Sequence, residues 1–231
     1  MSGDSLWKVL EMRPIIKFFA TVSIFIFVQG CSQLEPEPSR KAALKGLEMI
    51  RAMATEEICK RLGFEAFAEV GSMELGEPLQ TLHVRLGDLR TFGKINHHES
   101  LLLDKEEIVY PVVVKGNVRT AITVAKEENK WVIASLGKPN WVKTLTKLRK
   151  EHAVKSNLSL SGYFIVEIPS MYFVFLGHRK DNKVMLVHVD SHEALEFSAG
   201  DTDPLQEVFS KIINIAIDYR GGLLTPTNDF D

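Results

Sequence analysis

The sequence predicts an α+β fold: antiparallel β-meanders with helices packed on one side, preceded by an N-terminal helix. Three observations carry that expectation. An apolar stripe recurs at three- and four-residue steps from Leu44 to Leu62, two β-rich runs flank Gly116-Asn117, and a similar series after Gly162 ends in a capped helix. The composition allows such a core, since 231 residues at 45% hydrophobic and 25% charged are those of a globular chain. Near-balanced charge, 28 Lys+Arg against 30 Asp+Glu, excludes a general electrostatic pull toward nucleic acid. The two cysteines, Cys31 and Cys59, make neither a disulfide framework nor a zinc spacing.

Taken in order, Ser39 suits a helix N-cap, and Leu44, Leu47, Ile50, Ala54, Ile58 and Leu62 form one stripe. Lys60, Arg61 and Gly63 close that helix, and Cys59 beside the stripe reads as a small packing residue. Leu82, Val84 and Leu86 alternate as in a strand, whereas Leu86, Leu89 and Phe92 continue at helical spacing, so a strand passes into a short helix.

Ile108–Lys115 and Val118–Ala125 then make a hairpin through Gly116-Asn117, a dipeptide suited to positive φ. Pro111, lacking an N–H, assigns its strand to an edge or delays its pairing. Trp131–Leu136 is a third strand, and Trp141, Leu145 and Leu148 mark a short helix. The order returns 53 residues on, with Tyr110 aligned to Tyr163 and Glu128-Asn129-Lys130 to Asp181-Asn182-Lys183. Asp203 as N-cap, Pro204 at N1 and Gln206 at N3 open the last helix, whose stripe runs through Leu205, Val208, Phe209, Ile212, Ile215, Ala216 and Tyr219 to the stop Gly221-Gly222. The globular part is residues 40–231, either continuous or as halves 40–155 and 156–231 meeting at the linker Glu151–Ser161.

Ahead of it, Phe18–Val28 is an apolar run of 11 residues behind Lys8, Arg13 and Lys17. About 20 apolar residues are needed to span a bilayer, so residues 1–30 read as an export signal, whose true start is Met1 or Met12. The end of the run, Val28-Gln29-Gly30-Cys31, resembles the lipobox of bacterial lipoprotein precursors. Gln29 departs from the small or hydroxyl residue usual there, so an ordinary cleaved signal peptide is the alternative. The resemblance implies cleavage after Gly30, acyl chains (palmitate) on Cys31, a tether over 31–39 and a place in the cell envelope. With Ser32 next, the resemblance implies the outer membrane, facing the periplasm, if the cell is Gram-negative.

One cluster supports a mechanistic argument. Residues two apart share a strand face, so His188, Asp190 and His192 are candidate metal ligands with Glu193 as general base, provided the strand continues that far. His97-His98-Glu99 sits in a polar loop, and His83, His152 and His178 stand alone. The nucleophile elbow G-x-S-x-G is absent, its nearest approach being Leu158-Ser159-Leu160-Ser161-Gly162, and no glycine-rich nucleotide-binding pattern occurs. Lys138, Lys143, Lys147, Arg149, Lys150 and Lys155 gather around the Trp141 helix, a set that reads as a solvated face and otherwise as a contact for anionic lipid or an acidic partner. The function expected is therefore a non-enzymatic, lipid-anchored envelope protein acting as a binding or assembly module for an unidentified envelope protein or component, without cofactor or nucleic acid. The alternative is a metal-dependent envelope hydrolase using His188, Asp190 and His192.

Overall fold

The computed structural model describes residues 37–94 and 97–219. The export signal, Cys31, the first part of the tether and the Gly221-Gly222 stop lie outside the described residues. Helix α1 spans Glu37–Met53 and α2 Glu56–Arg61. Short strands β1 (Met73–Leu75) and β2 (Leu79–His83) lead to one helical turn, α3 (Leu86–Leu89). The meander β3 (Leu103–Val114), β4 (Asn117–Glu127) and β5 (Lys130–Gly137) runs into α4 (Pro139–Ser156). Strands β6 (Tyr163–Ile168), β7 (Phe173–Lys180), β8 (Lys183–His188) and β9 (Thr202–Pro204) precede α5 (Leu205–Asp218).

Among the described residues the nine strands form one sheet in the order β5-β4-β3-β2-β6-β7-β8-β9, with β1 also paired to β3. Every pairing is antiparallel except β2 with β6, a parallel seam that sets Gln80 against Phe164 and joins the two meanders. The α+β class is the one the sequence predicts. The helices, however, occupy both faces. Val142 and Leu145 of α4 pack on Leu79, Val109, Ile165, Leu176 and Val187, whereas α1 covers Tyr110 and Ile122 and α5 covers Val166, Phe175 and Leu186 on the opposite face. The reason lies in the central strands. Ile165 and Val166 are neighbours of opposite orientation and both are fully buried, so neither face can be left to water.

Several local expectations change with that packing. Ser39 lies inside α1, buried, with its Oγ 2.8 Å from the Tyr110 hydroxyl, so it ties helix to sheet rather than capping. The stripe from 44 to 62 is broken at Thr55, whose hydroxyl accepts from the Ile58 N–H and starts α2. Leu44 turns outward, while Ala43, Leu47 and Ile50 face the sheet. Pro111 sits in an inner strand, not at an edge. Its carbonyl accepts from the Gly76 N–H on the side shared by β1 and β2, and its missing donor falls at the break between those two short strands.

The duplicated pattern is shared at the turns and lost at the helices. Glu128-Asn129 and Asp181-Asn182 both adopt positive φ, as tight hairpin turns require. Tyr110 and Tyr163 nonetheless lie on opposite faces, and α4 and α5 return over opposite faces. The proposed linker Glu151–Ser161 is helical as far as Ser156, because α4 is an 18-residue helix rather than a short one. Asp203 belongs to β9 and bonds His188, leaving Pro204 at the cap position of α5 without a side-chain cap.

Candidate functional site

The residues proposed as metal ligands do not converge. Strand β8 ends at His188, whose ring is 1% exposed and turns its Nε2 to Asp203 Oδ2 at 2.9 Å. Phe197 lies over that ring at 4.1 Å and Phe175 meets it edge-on, so the imidazole sits within an aromatic wall. His192 instead packs edge-to-face on Phe173 at 4.8 Å. Burial pushes the Asp190 carboxyl above its ordinary range and the His192 imidazole below its own. Among the described residues no group of three His, Cys, Asp or Glu side chains is placed to hold a metal ion. Glu193 opens a single 3-10 turn beyond them.

The other singled-out groups are structural. His98 stacks on Phe92 at 4.1 Å, and Glu99 pairs with Arg179 at 2.7 Å. His83 lies 3.4 Å from Glu167 across the parallel seam. Ser159 and Ser161 bond each other in a tight turn. Cys59 is buried, which raises its thiol pKa and makes it a poor nucleophile.

The basic set around α4 divides into two roles. Arg149, expected on the surface, is 2% exposed. Its guanidinium donates to the Leu160 carbonyl twice, at 2.9 and 2.5 Å, and to the Glu77 carbonyl at 2.9 Å. Burial pushes its pKa down to about 10. Lys138 lies 5.2 Å over the Trp141 ring. Lys143, Lys147 and Lys150 remain on successive turns of one helix side and, with Gly116, Asn117 and Arg119 of the β3–β4 hairpin, line an open groove of about 580 Å³; that hairpin turns at Lys115-Gly116, one residue before the expected Gly116-Asn117, because Asn117 already pairs with Val114. Arg119 is already neutralised, pairing with Glu65 at 2.5 Å and Glu69 at 2.6 Å. The three lysines, opposed in the groove by Glu151, therefore supply its unneutralised positive charge, Lys143 while also donating to the Gly63 carbonyl at 3.5 Å.

A second cluster, invisible to spacing, forms where α4 crosses β6, β7 and β9. His152 Nδ1 lies 2.8 Å from the Tyr163 hydroxyl and Nε2 3.1 Å from the Thr202 hydroxyl. The His178 ring stands 4.8 Å from that of His152 and is 2% exposed. Neither His178 nitrogen has a side-chain hydrogen-bond partner among the described residues, and the neighbouring Arg179 backbone only partly offsets the effect of burial on the ring. Burial lowers the pKa of both imidazoles, and Lys155 and Lys180 lower His152 further. Three separate strands and a helix bring these residues together, so no local motif announces them; the only signal was the isolated polar letter His178 in an otherwise apolar strand, FVFLGH.

No family model, curated protein or solved structure matches this chain. The reading of its function therefore rests on residues and geometry alone.

Proposed function

We propose that the chain is a non-enzymatic binding module of the cell envelope, held to a membrane through acyl chains on Cys31, and that it engages an anionic envelope component or partner protein along α4. The observation that carries the binding reading is the groove, in which Lys143, Lys147 and Lys150 have no carboxylate ion pair among the described residues, beside a hairpin whose Arg119, in β4, is already paired. Opposite charge across such a surface speeds encounter and fixes orientation. The buried side of the same helix, with Val142, Leu145, Arg149 and Ala153, makes the lysine row a rigid feature. The lipobox-like Cys31, a few residues ahead of α1, supports the anchor.

Two measurements test the two parts separately. Palmitate labelling of the wild type and Cys31→Ser is expected to mark only the wild type; equal labelling of both removes the anchor. Crosslinking in native membranes, followed by mass spectrometry, is expected to give a reproducible neighbour that the triple reversal Lys143→Glu, Lys147→Glu, Lys150→Glu loses. A neighbour captured equally by both proteins removes the groove as the binding face. The two exposed reversals, Lys147→Glu and Lys150→Glu, are each expected to change stability by about 0.5 kcal/mol or less, as for surface substitutions generally, and Lys143→Glu by more, because its ammonium donates to the Gly63 carbonyl; a urea titration checks both.

A further inference from the structure

The His152–His178 contact has a property the groove does not share. Across the sheet Tyr163 pairs with His178, and His178 with Met185, so these side chains stand in one row on the face that α4 covers. His152 descends onto that row from the helix. The charged and titratable groups that influence the pair are cationic or neutral. On α4 the cation is Lys155 and on β7 Lys180, while β6 contributes Tyr163, whose hydroxyl is in turn influenced by Arg149. Strand β8 contributes Met185 in register, and β9 the neutral Thr202 hydroxyl. The nearby carboxylates are engaged elsewhere: Asp201 and Asp203 act on His188, and Glu77 on Arg149.

Neutral imidazoles fit this site. His152 in its neutral form carries one donor and one acceptor, and the hydroxyls of Tyr163 and Thr202 can take the complementary roles, with the Ser156 hydroxyl at 3.3 Å from the same ring. A proton on His178 creates a buried cation, and one on the half-buried His152 a cation against it and two lysines, with the Arg179 backbone alone favouring the charged His178. The element that can yield is the last turn of α4. Upstream, Arg149 fastens the helix by its three bonds to carbonyls, and downstream Asn157 turns the chain at φ 53° into the short connection before β6. Val154 in that turn is 85% exposed, so little else holds its outer side.

We propose that the His152–His178 pair is a proton-operated latch, which holds the C-terminal turn of α4 on the second meander when neutral and frees that turn as far as Asn157 when protonated, while the Arg149 bonds keep Leu160 in place. The lysine-bearing turns stay seated, because Arg149 and the apolar contacts of Val142 and Leu145 lie upstream of the release point. The latch depends on the packing of this domain and not on the anchor or the groove.

Hydrogen exchange of the full chain, followed by mass spectrometry at about pH 7.5 and about pH 5.5 and scaled for intrinsic exchange rates, tests it. Peptides covering 150–157 are expected to exchange at least about fivefold faster at the lower pH, with those of α1 unchanged. His152→Gln/His178→Gln is expected to abolish that difference while leaving any acid response around His188 and His192 in place. His178→Phe, apolar and of similar size, gives a second route should the glutamines disturb folding, and it too is expected to weaken the response. An acid response equal in all segments, no response at 150–157, or one that persists in both variants overturns the latch.

Discussion

Arg149 and His188 show how single buried polar side chains hold distant segments of this chain. Removing the Arg149 fork leaves the Leu160 and Glu77 carbonyls without their donor, so Arg149→Ala is expected to cost about 3 kcal/mol. Arg149→Lys is expected to recover little, because one ammonium cannot reproduce the planar fork. A urea titration of the three proteins measures both effects. His188 anchors the loop that follows β8: its carbonyl accepts from Gly200, its N–H donates to Asp201, and its ring bonds Asp203 within an aromatic wall. Loss of that ring in His188→Ala is expected to destabilise by about 3 kcal/mol, combining a cavity with a lost bond. Elemental analysis of the purified proteins is expected to give the same zinc and manganese content for both; a stoichiometric metal lost only from the variant would revive the ligand reading. Neither Arg149's burial nor the Asp203 bond was legible in sequence, where a lysine-rich context made Arg149 look solvated and a Pro204 made Asp203 look like a cap.

At the scale of elements, periodicity located what packing then trimmed. The hairpins, the first to within one residue at its turn, the α5 stripe and the end of α2 at Gly63 were all readable, because turn residues and apolar spacing are local properties. Helix length and the face each helix covers were not, since these depend on which strand it meets. Gly63 illustrates the overlap of the two. Its φ of +83° suits the residue after a helix end, and a Cβ there would lie 2.5 Å from the Pro139 Cβ and 2.6 Å from the Arg119 carbonyl. Gly63→Ala is therefore expected to cost about 2 kcal/mol or more through left-handed strain and the clash with the start of α4. Thermal unfolding of the variant checks it, and a shift no larger than that of an ordinary surface substitution would show that α2 and α4 do not meet at this corner.

For the molecule as a whole, the titrating histidines set how stability follows pH. Burial lowers the pKa values of His83, His152, His178, His188 and His192, the Asp203 bond only partly offsetting this at His188. An unfolded chain thus binds more protons than the folded one just below the ordinary imidazole pKa. Stability is then highest above that value and falls as the pH drops through it toward the folded-state values. Glu167 and Asp190, raised by burial, act in the opposite sense from the ordinary carboxylate range upward. Five imidazoles outnumber two carboxylates, so the unfolding temperature is expected to fall between about pH 7 and about pH 5. A flat profile in that interval would mean the imidazoles charge without cost.

The parallel pairing of β2 with β6 also governs the order in which this molecule assembles. Each meander closes through neighbouring hairpins, but the row from Gln80–Phe164 to His83–Glu167 joins segments separated by the whole of β3 to α4. Contacts that distant in sequence carry a larger loop-closure penalty and form late. Stopped-flow refolding should therefore resolve early hairpin formation from a slower zippering at the centre, and cleavage within 157–162 should slow the second step while sparing the first.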